Sequence, residues 1–438
     1  MIKKAVLSNR IYINCAKDSD LDIELMSTLT YEISQEPISP YPLVIRNLIR
    51  ISPTVVSIPS GRLDLIPEGY EIIDKRTKAD IVIPDPLFTP RENQQESIDF
   101  LSENGLLNAK VGWGKTIAGL GLIHKFQKKA LIITTTTTIR DMWISEIEKH
   151  LGFKPGIIGG GKFDTGPAIC VGNIQTVRNK MDILGDMFGT LICDEVHRCP
   201  AKTFTDTLNA SKASHKIGLS GTLIRKDGLH CVLPDYFGQD VFIAKQENTI
   251  APTGHLWDTG IPLSANEFIP WANKITELVN NPVYMHQVLK LADAYAEAGH
   301  KVLVLCDRTD LLEWGHLQTE SYSLMVTGKI NDTTERRLIL EAMDDADSGA
   351  SILWGTQSIF SEGVSVSALS CVILATPINN APLLEQICGR VMRQGADKLS
   401  PIIVDLGLDG NTGKRHRNSR KKFYIEKGWE IRFQGAIN

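Results

Sequence analysis

Apolar residues recur along this chain in two rhythms. Up to about Asp85, short β-rich runs (IYIN, LVIRNLIRI, TVVSIP and YEIID) alternate with turn residues, which predicts an α+β accessory domain. The proline-bearing stretch PDPLFTP, Pro84 to Pro90, reads as a linker. From Phe88 to Lys245 the rhythm changes. Continuous apolar runs, KALIITT, AICVGN, TLICDE and HKIGLS, alternate with helical segments, the pattern of a parallel sheet covered by helices. Asn248 to Pro270 is less periodic and reads as irregular. KVLVLC, YSLMVTG, ASILWGT, CVILAT and PIIVDLG then predict a second unit of the same kind. The expected fold is α/β, with two tandem parallel-sheet domains behind an N-terminal α+β domain, divided as 1–85, 86–250 and 251–438. Two such domains in tandem are expected to hold a ligand in the cleft between them.

Composition narrows the class. Of 438 residues, 42% are hydrophobic and 22% charged, as in ordinary globular chains. A net charge of −4 gives no field for a polyanion, so any nucleic-acid contact must come from local patches. Eight cysteines contain no CxxC pair, which argues against a zinc ribbon, an iron–sulfur site or a disulfide framework. No apolar run is long enough to span a bilayer, and the opening MIKKAVLSNRIYINC makes a poor signal peptide. A cytoplasmic location and no membrane partner are expected.

The chemistry begins at Ala109–Thr116, AKVGWGKT. A phosphate loop asks for Gly where Ala109 stands, but Gly112, Gly114, Lys115 and Thr116 fit the rest. The glycines let backbone N–H groups close around phosphate oxygens, and a helix starting near Lys115 aims its positive end at the same anion. Lys115 would reach the β- and γ-phosphates, and Thr116 would ligate Mg²⁺. Downstream, apolar TLIC runs into DEVH, Asp194 to His197. Two carboxylates at the end of a buried strand are costly without a cation or water to act on. Asp194 would hold Mg²⁺, and Glu195 would accept the proton of the attacking water. Upstream, Arg91 and Gln94 are spaced to share a helix face, and the glutamine amide could read both edges of an adenine. In the second unit, QICGRVMR places Gln386, Arg390 and Arg393 along one helix. Two arginines there could neutralise charge on a transferred γ-phosphate, and Gln386 could touch that phosphate or the water.

AKVGWGKT, DEVH, LSGT and QICGRVMR, in this order over two α/β units, resemble the core of a superfamily 2 helicase. DEVH and LSGTLIRKDG are similar to the branch holding XPB-type helicases and the UvsW-type phage branch-migration helicases. The resemblance covers Phe88 to the C-terminus and implies two RecA-like domains with ATP and Mg²⁺ as cofactors. It implies further roles for residues of this chain. Arg91 and Gln94 match the adenine-side R-x-x-Q. Ser220 and Thr222 match the element that couples hydrolysis to domain movement, and His197 would link it to the nucleotide site. Arg225 and Asp227 match a trailing R-x-D. Gly221 and Leu223 depart from the usual alanine and proline there. Thr136, Gln175, Thr176 and Thr356 would contact a nucleic-acid backbone, with Asn173 standing where threonine is usual. Glu362 and Gly363 would lie near the nucleotide.

Hydroxyls and N–H groups at strand ends bind phosphate without reading sequence. Two such rows that open and close with ATP would step along a strand. The expected function is therefore an ATP-dependent DNA helicase or translocase. The narrower reading, fork regression or Holliday-junction branch migration in replication, recombination or repair, rests on the resemblance alone. The expected partner is forked or branched DNA, with RNA not excluded, in a bacterial or phage-infected cell, and a monomer suffices. The alternative is an ATP-gated RNA or DNA clamp of DEAD-box type that opens duplex locally without travelling. A restriction- or chromatin-type motor would need a nuclease or partner module, for which the chain carries no motif. The basic tail GKRHRNSRKKFYIEKGWEI reads as a packed helix with Phe423, Tyr424 and Trp429 inward.

Overall fold

A computed structural model describes residues 3–35, 41–110, 112–198, 202–223, 227–245, 250–266, 268–330, 333–357, 360, 366–392 and 398–437. The chain divides into two compact units, Met1–Gln246 and Glu247–Asn438. The first holds two main sheets. The smaller runs in the order Ile49–Ser52, Val55–Pro59, Arg10–Asn14, Lys4–Leu7, Glu71–Asp74. Alternation in RIYIN turns Ile11 and Ile13 inward, onto Ala5, Val56, Ile58 and Leu25 of the helix Asp20–Thr28. The run LVIRNLIRI, which reads as one strand, is two. Leu43–Arg46 pairs with Thr30–Ile33 in a separate ribbon, while Ile49–Ser52 joins the small sheet. Asn47 makes the break, its N–H donating to Leu29 O at 2.9 Å.

The larger sheet has eight strands, in the order Lys162–Phe163, Gly156–Gly159, Ile169–Asn173, Ala130–Thr134, Thr190–Asp194, His215–Ser220, Asn104–Asn108, Val241–Ile243. All pairs are parallel except the first. The four strands expected from apolar runs are present. NGLLN and VFI, which deliver and flank the phosphate loop, are too short to stand out as runs. Pro84–Pro90 carries no helix or strand, yet the chain before and within it is seated on this sheet's layer. Ile81 N–H donates to Gln127 O at 3.0 Å and Leu87 N–H to His150 O at 2.8 Å, and Ile83 is buried in the core of the large sheet.

The two sheets of this unit are joined through a fully buried carboxylate. Asp235, on the helix Leu233–Phe237, accepts from Tyr31 Oη at 2.8 Å, Asn47 Nδ2 at 2.5 Å and Arg62 Nη1 at 3.2 Å. Gly61 N–H donates to Asp235 O at 2.9 Å, and a Cβ at Gly61 would stand 2.6 Å from Gly238 N. Nearby, Lys216 Nζ donates to Ser60 Oγ at 2.7 Å and Ser211 O at 2.9 Å. Burial pushes the Lys216 amine down to about 7.

The second unit holds a seven-stranded, all-parallel sheet, in the order Ser323–Val326, Ile352–Thr356, Val302–Cys306, Cys371–Leu374, Ile402–Asp409, Thr253–Pro262, Ile431–Ala436. Thr253–Pro262 lies inside the stretch expected to be irregular. Its polar and glycine-bearing sequence is held as a strand by parallel neighbours on both sides, with a register shift between Asp258 and Pro262. The basic tail forms the helix Gly410–Glu426 and packs inward as expected, with Phe423, Tyr424 and Trp429 in the core. Arg420 is bidentate to buried Asp405, at 2.8 and 2.6 Å, and Tyr424 Oη donates to the same carboxylate at 2.9 Å. The fold is α/β, with two RecA-like parallel-sheet domains.

Candidate functional site

In the first unit the phosphate loop, Asp194, Glu195, His197, Ser220, Thr222, Thr136, Gln175 and Thr176 lie at or just beyond the carboxyl edge of the large sheet. Strand Asn104–Asn108 leads into the phosphate loop, and the helix Lys115–Phe126 follows directly. Gly112 and Gly114 have φ of 88° and 96°, which only glycine adopts without strain. A Cβ at Gly114 would also fall 2.3 Å from Gln94 Nε2. Lys115 Nζ donates to Ala109 O at 3.0 Å, and Thr116 sits half-buried in the first helical turn.

Arg91 and Gln94 meet this loop. Gln94 Oε1 accepts the Arg91 N–H at 2.9 Å, while its Nε2 donates to Trp113 O at 3.1 Å and Gly114 O at 3.4 Å. Arg91 Nη2 also donates to Trp113 O. Both ends of the amide thus have partners within the protein, while Oε1, accepting one bond, retains a second lone pair. The Trp113 side chain is buried in the core and anchors the loop from beneath.

Strand Thr190–Asp194 ends in the carboxylate pair. Asp194 is 6% exposed, and burial together with the neighbouring Glu195 carboxylate raises its pKa to about 6, against the pull of Lys115. Its Oδ1 accepts the Glu195 N–H at 2.8 Å and its Oδ2 accepts Trp143 Nε1–H at 2.8 Å. Glu195 stands at φ 53°, a left-handed backbone that costs a non-glycine residue about 1–3 kcal/mol and is concentrated at functional sites. Its Oε2 lies 3.2 Å from His197 Nδ1, and that nitrogen lies 2.9 Å from Ser220 Oγ. Ser220 Oγ in turn donates to Thr222 O at 2.5 Å. The structure therefore connects Glu195, His197, Ser220 and Thr222 in one chain of contacts. A Cβ at Gly221 would meet nothing nearer than 3.9 Å, so this departure from alanine opens no packing defect.

The first unit's nucleic-acid candidates directly follow the adjoining strands at the same edge. Ala130–Thr134 and Ile169–Asn173 are neighbours in register, Thr134 opposite Asn173. Thr136 follows the first strand and caps the helix Thr137–Leu151, its Oγ1 accepting Ile139 N–H at 3.3 Å. Gln175 is exposed and Thr176 half-buried just after the second strand. Asn173 Oδ1 accepts from Arg140 Nη1 at 3.1 Å, which gives a structural role to the residue that replaces threonine.

In the second unit, Thr356 ends the strand Ile352–Thr356. Gln386 and Arg390 share one face of the helix Ala381–Val391, Gln386 half-buried and Arg390 5% exposed. Arg393, Glu362, Gly363 and Arg225 lie outside the described residues.

Sequence reading missed Trp143 as a partner of Asp194. The available signal was a tryptophan on the apolar face of a helix, whose N–H must find an acceptor when buried. Among the described residues no group of three or more His, Cys, Asp or Glu could hold a metal by itself, and no helix is long and apolar enough to cross a membrane. A cation here would need phosphate oxygens as well as Asp194 and Thr116.

Comparison with known proteins gives two family matches. Residues 87–225 match the type III restriction enzyme res subunit family, and residues 284–395 match the helicase conserved C-terminal domain. A probable helicase of Escherichia phage T5 is 42% identical over 98% of this chain and 95% of its own length. A putative ATP-dependent RNA helicase of Acanthamoeba polyphaga mimivirus is 25% identical over 83% of this chain and 73% of its own. Among solved structures, S. cerevisiae Dbp5 bound to RNA and ADP–BeF3 shares the fold, with TM-score 0.58 and 11% identity over 79% of this chain and 90% of that one.

Proposed function

We propose that this chain, which belongs to the superfamily 2 helicases and is an ATP-dependent nucleic-acid helicase, travels on DNA and remodels branched DNA by fork regression or junction branch migration. The observation that carries the reading is the unbroken row along one sheet edge. Phosphate loop, Ser220, Asp194, Thr136 and Thr176 follow adjacent parallel strands. Hydrolysis and backbone contact would thereby share one sheet edge.

ATP would lie in the Gly112–Thr116 loop with Lys115 on its β- and γ-phosphates. Asp194 fits a divalent cation, because a buried carboxylate beside a second one is stabilised by positive charge. Mg²⁺ held by Thr116 and Asp194 would neutralise charge on the phosphates. Glu195 takes the proton of the attacking water, and His197 passes the change in its contacts to Ser220 and Thr222. By the family resemblance, Gln386, Arg390 and Arg393 would act on the γ-phosphate, and Glu362 and Gly363 would lie near the nucleotide. Gln175, Thr176, Thr136 and Thr356 hold the nucleic-acid backbone. Residues 1–85 would serve as an accessory DNA-binding domain to the two motor domains, 86–250 and 251–438.

The second reading, an RNA or DNA clamp that opens duplex locally, draws support from the mimivirus relative's description as an RNA helicase. Steady-state ATP hydrolysis compared across single-stranded DNA, duplex, fork, four-way junction and RNA separates these. The strongest stimulation is expected with forks and junctions, together with ATP-dependent movement of the junction. Stimulation by RNA alone, or hydrolysis with junction DNA that leaves the junction in place, would overturn the branched-DNA assignment.

A further inference from the structure

We propose that Trp143 is the positioning residue through which nucleic acid bound at Thr136 sets the Asp194 carboxylate for hydrolysis. This rests on the reading that nucleic acid stimulates the ATPase. Of the two hydrogen bonds the structure gives Asp194, one comes from the adjacent Glu195 N–H and the other from Trp143 Nε1. Trp143 is the donor contributed by a different element. It is fully buried on the helix Thr137–Leu151, in the inward row Ile139, Trp143, Ile147 and Leu151. Thr136, the candidate phosphate contact, caps that helix about two turns before Trp143 and on the same face.

The packing leaves the indole little freedom. A Cβ at Gly119, on the phosphate-loop helix, would fall 2.8 Å from Trp143 Cη2 and 3.3 Å from Leu219 Cδ1. The ring therefore abuts the helix that carries Lys115, and it shares a core with Leu219 on the strand that carries Ser220. A phosphate pulling on the N-terminus of Thr137–Leu151 would displace a stiff rod, and the rod meets the nucleotide site through the Trp143 N–H on a buried carboxylate. Such charge-assisted bonds are directional and strong, so a small shift of the helix reorients Asp194.

The test is steady-state ATP hydrolysis of Trp143→Phe, with and without saturating oligo(dT). The variant keeps a buried ring and removes the N–H. The stimulated kcat is expected to fall more than the basal rate, so that the stimulation ratio drops on the order of tenfold, the size usual for partners of a ligating carboxylate. KM for ATP stays at the wild-type value. A ratio equal to wild type, or equal losses in both rates, overturns the proposal. Gly119→Ala, which displaces the ring but keeps its N–H, decides the matter if Trp143→Phe does not fold. A lowered ratio supports the coupling and a wild-type ratio refutes it. Absence of stimulation in the wild-type protein would instead bring down the motor reading, and this inference with it. A stimulated wild type with an unaltered variant refutes the coupling alone.

Discussion

Glu195→Gln is expected to lower kcat for ATP hydrolysis by on the order of 10²–10⁴-fold, the range for loss of a general base, while leaving KM for ATP unchanged. The substitution is isosteric. Its backbone N–H still reaches Asp194 Oδ1, which holds the residue at φ 53°. An amide can still meet His197, so the contacts onward to Ser220 and Thr222 need not break. What disappears is the group able to take a proton from water. The phosphate loop is untouched, so binding persists and the variant should accumulate as the ATP complex. Single-turnover hydrolysis alongside nucleotide binding checks this. Full turnover in Glu195→Gln would move the base elsewhere on the sheet edge.

Asp235→Ala is the largest expected loss of stability. It strips the acceptor from Tyr31, Asn47 and Arg62 in a fully buried setting. Removing one partner of a buried ion pair costs about 3–5 kcal/mol. Arg62 retains Asp64, at 2.9 Å, so the lower end applies. At about 2–4 °C per kcal/mol for a unit of this size, the first thermal transition should fall by roughly 10 °C. Calorimetry resolves that transition from any belonging to the second unit. An unchanged melting profile would mean that the Asp235 carboxylate is not what holds the small sheet to the large one, leaving that to Lys216–Ser60, the Gly61 N–H and apolar contact.

Much of this architecture can be read from the chain itself, because its strands are unbroken apolar runs and its phosphate loop needs glycine at positive φ. Reading fails where neighbours decide. Thr253–Pro262 looks irregular alone and becomes a strand only between Ile402–Asp409 and Ile431–Ala436. LVIRNLIRI looks continuous, but Asn47 is drawn to Leu29 and Asp235 and splits it. Lys115, Asp194, Glu195, His197 and Ser220 fall together as their motifs imply. Gln94 also donates its Nε2 to the phosphate loop, a contact that its spacing from Arg91 does not announce. Trp143 and Asp235 act through partners more than fifty and more than a hundred and seventy positions away, respectively, in sequence, and no local pattern announces either.

A motor of this kind travels along DNA rather than gripping it in place. Displacement of a third strand from a triplex, placed at increasing distance from the loading site, tests this most directly. A travelling motor gives ATP-dependent release after a lag that lengthens with distance, and no release by Glu195→Gln. DNA-stimulated hydrolysis by the wild-type protein that leaves the distant strand bound would contradict it.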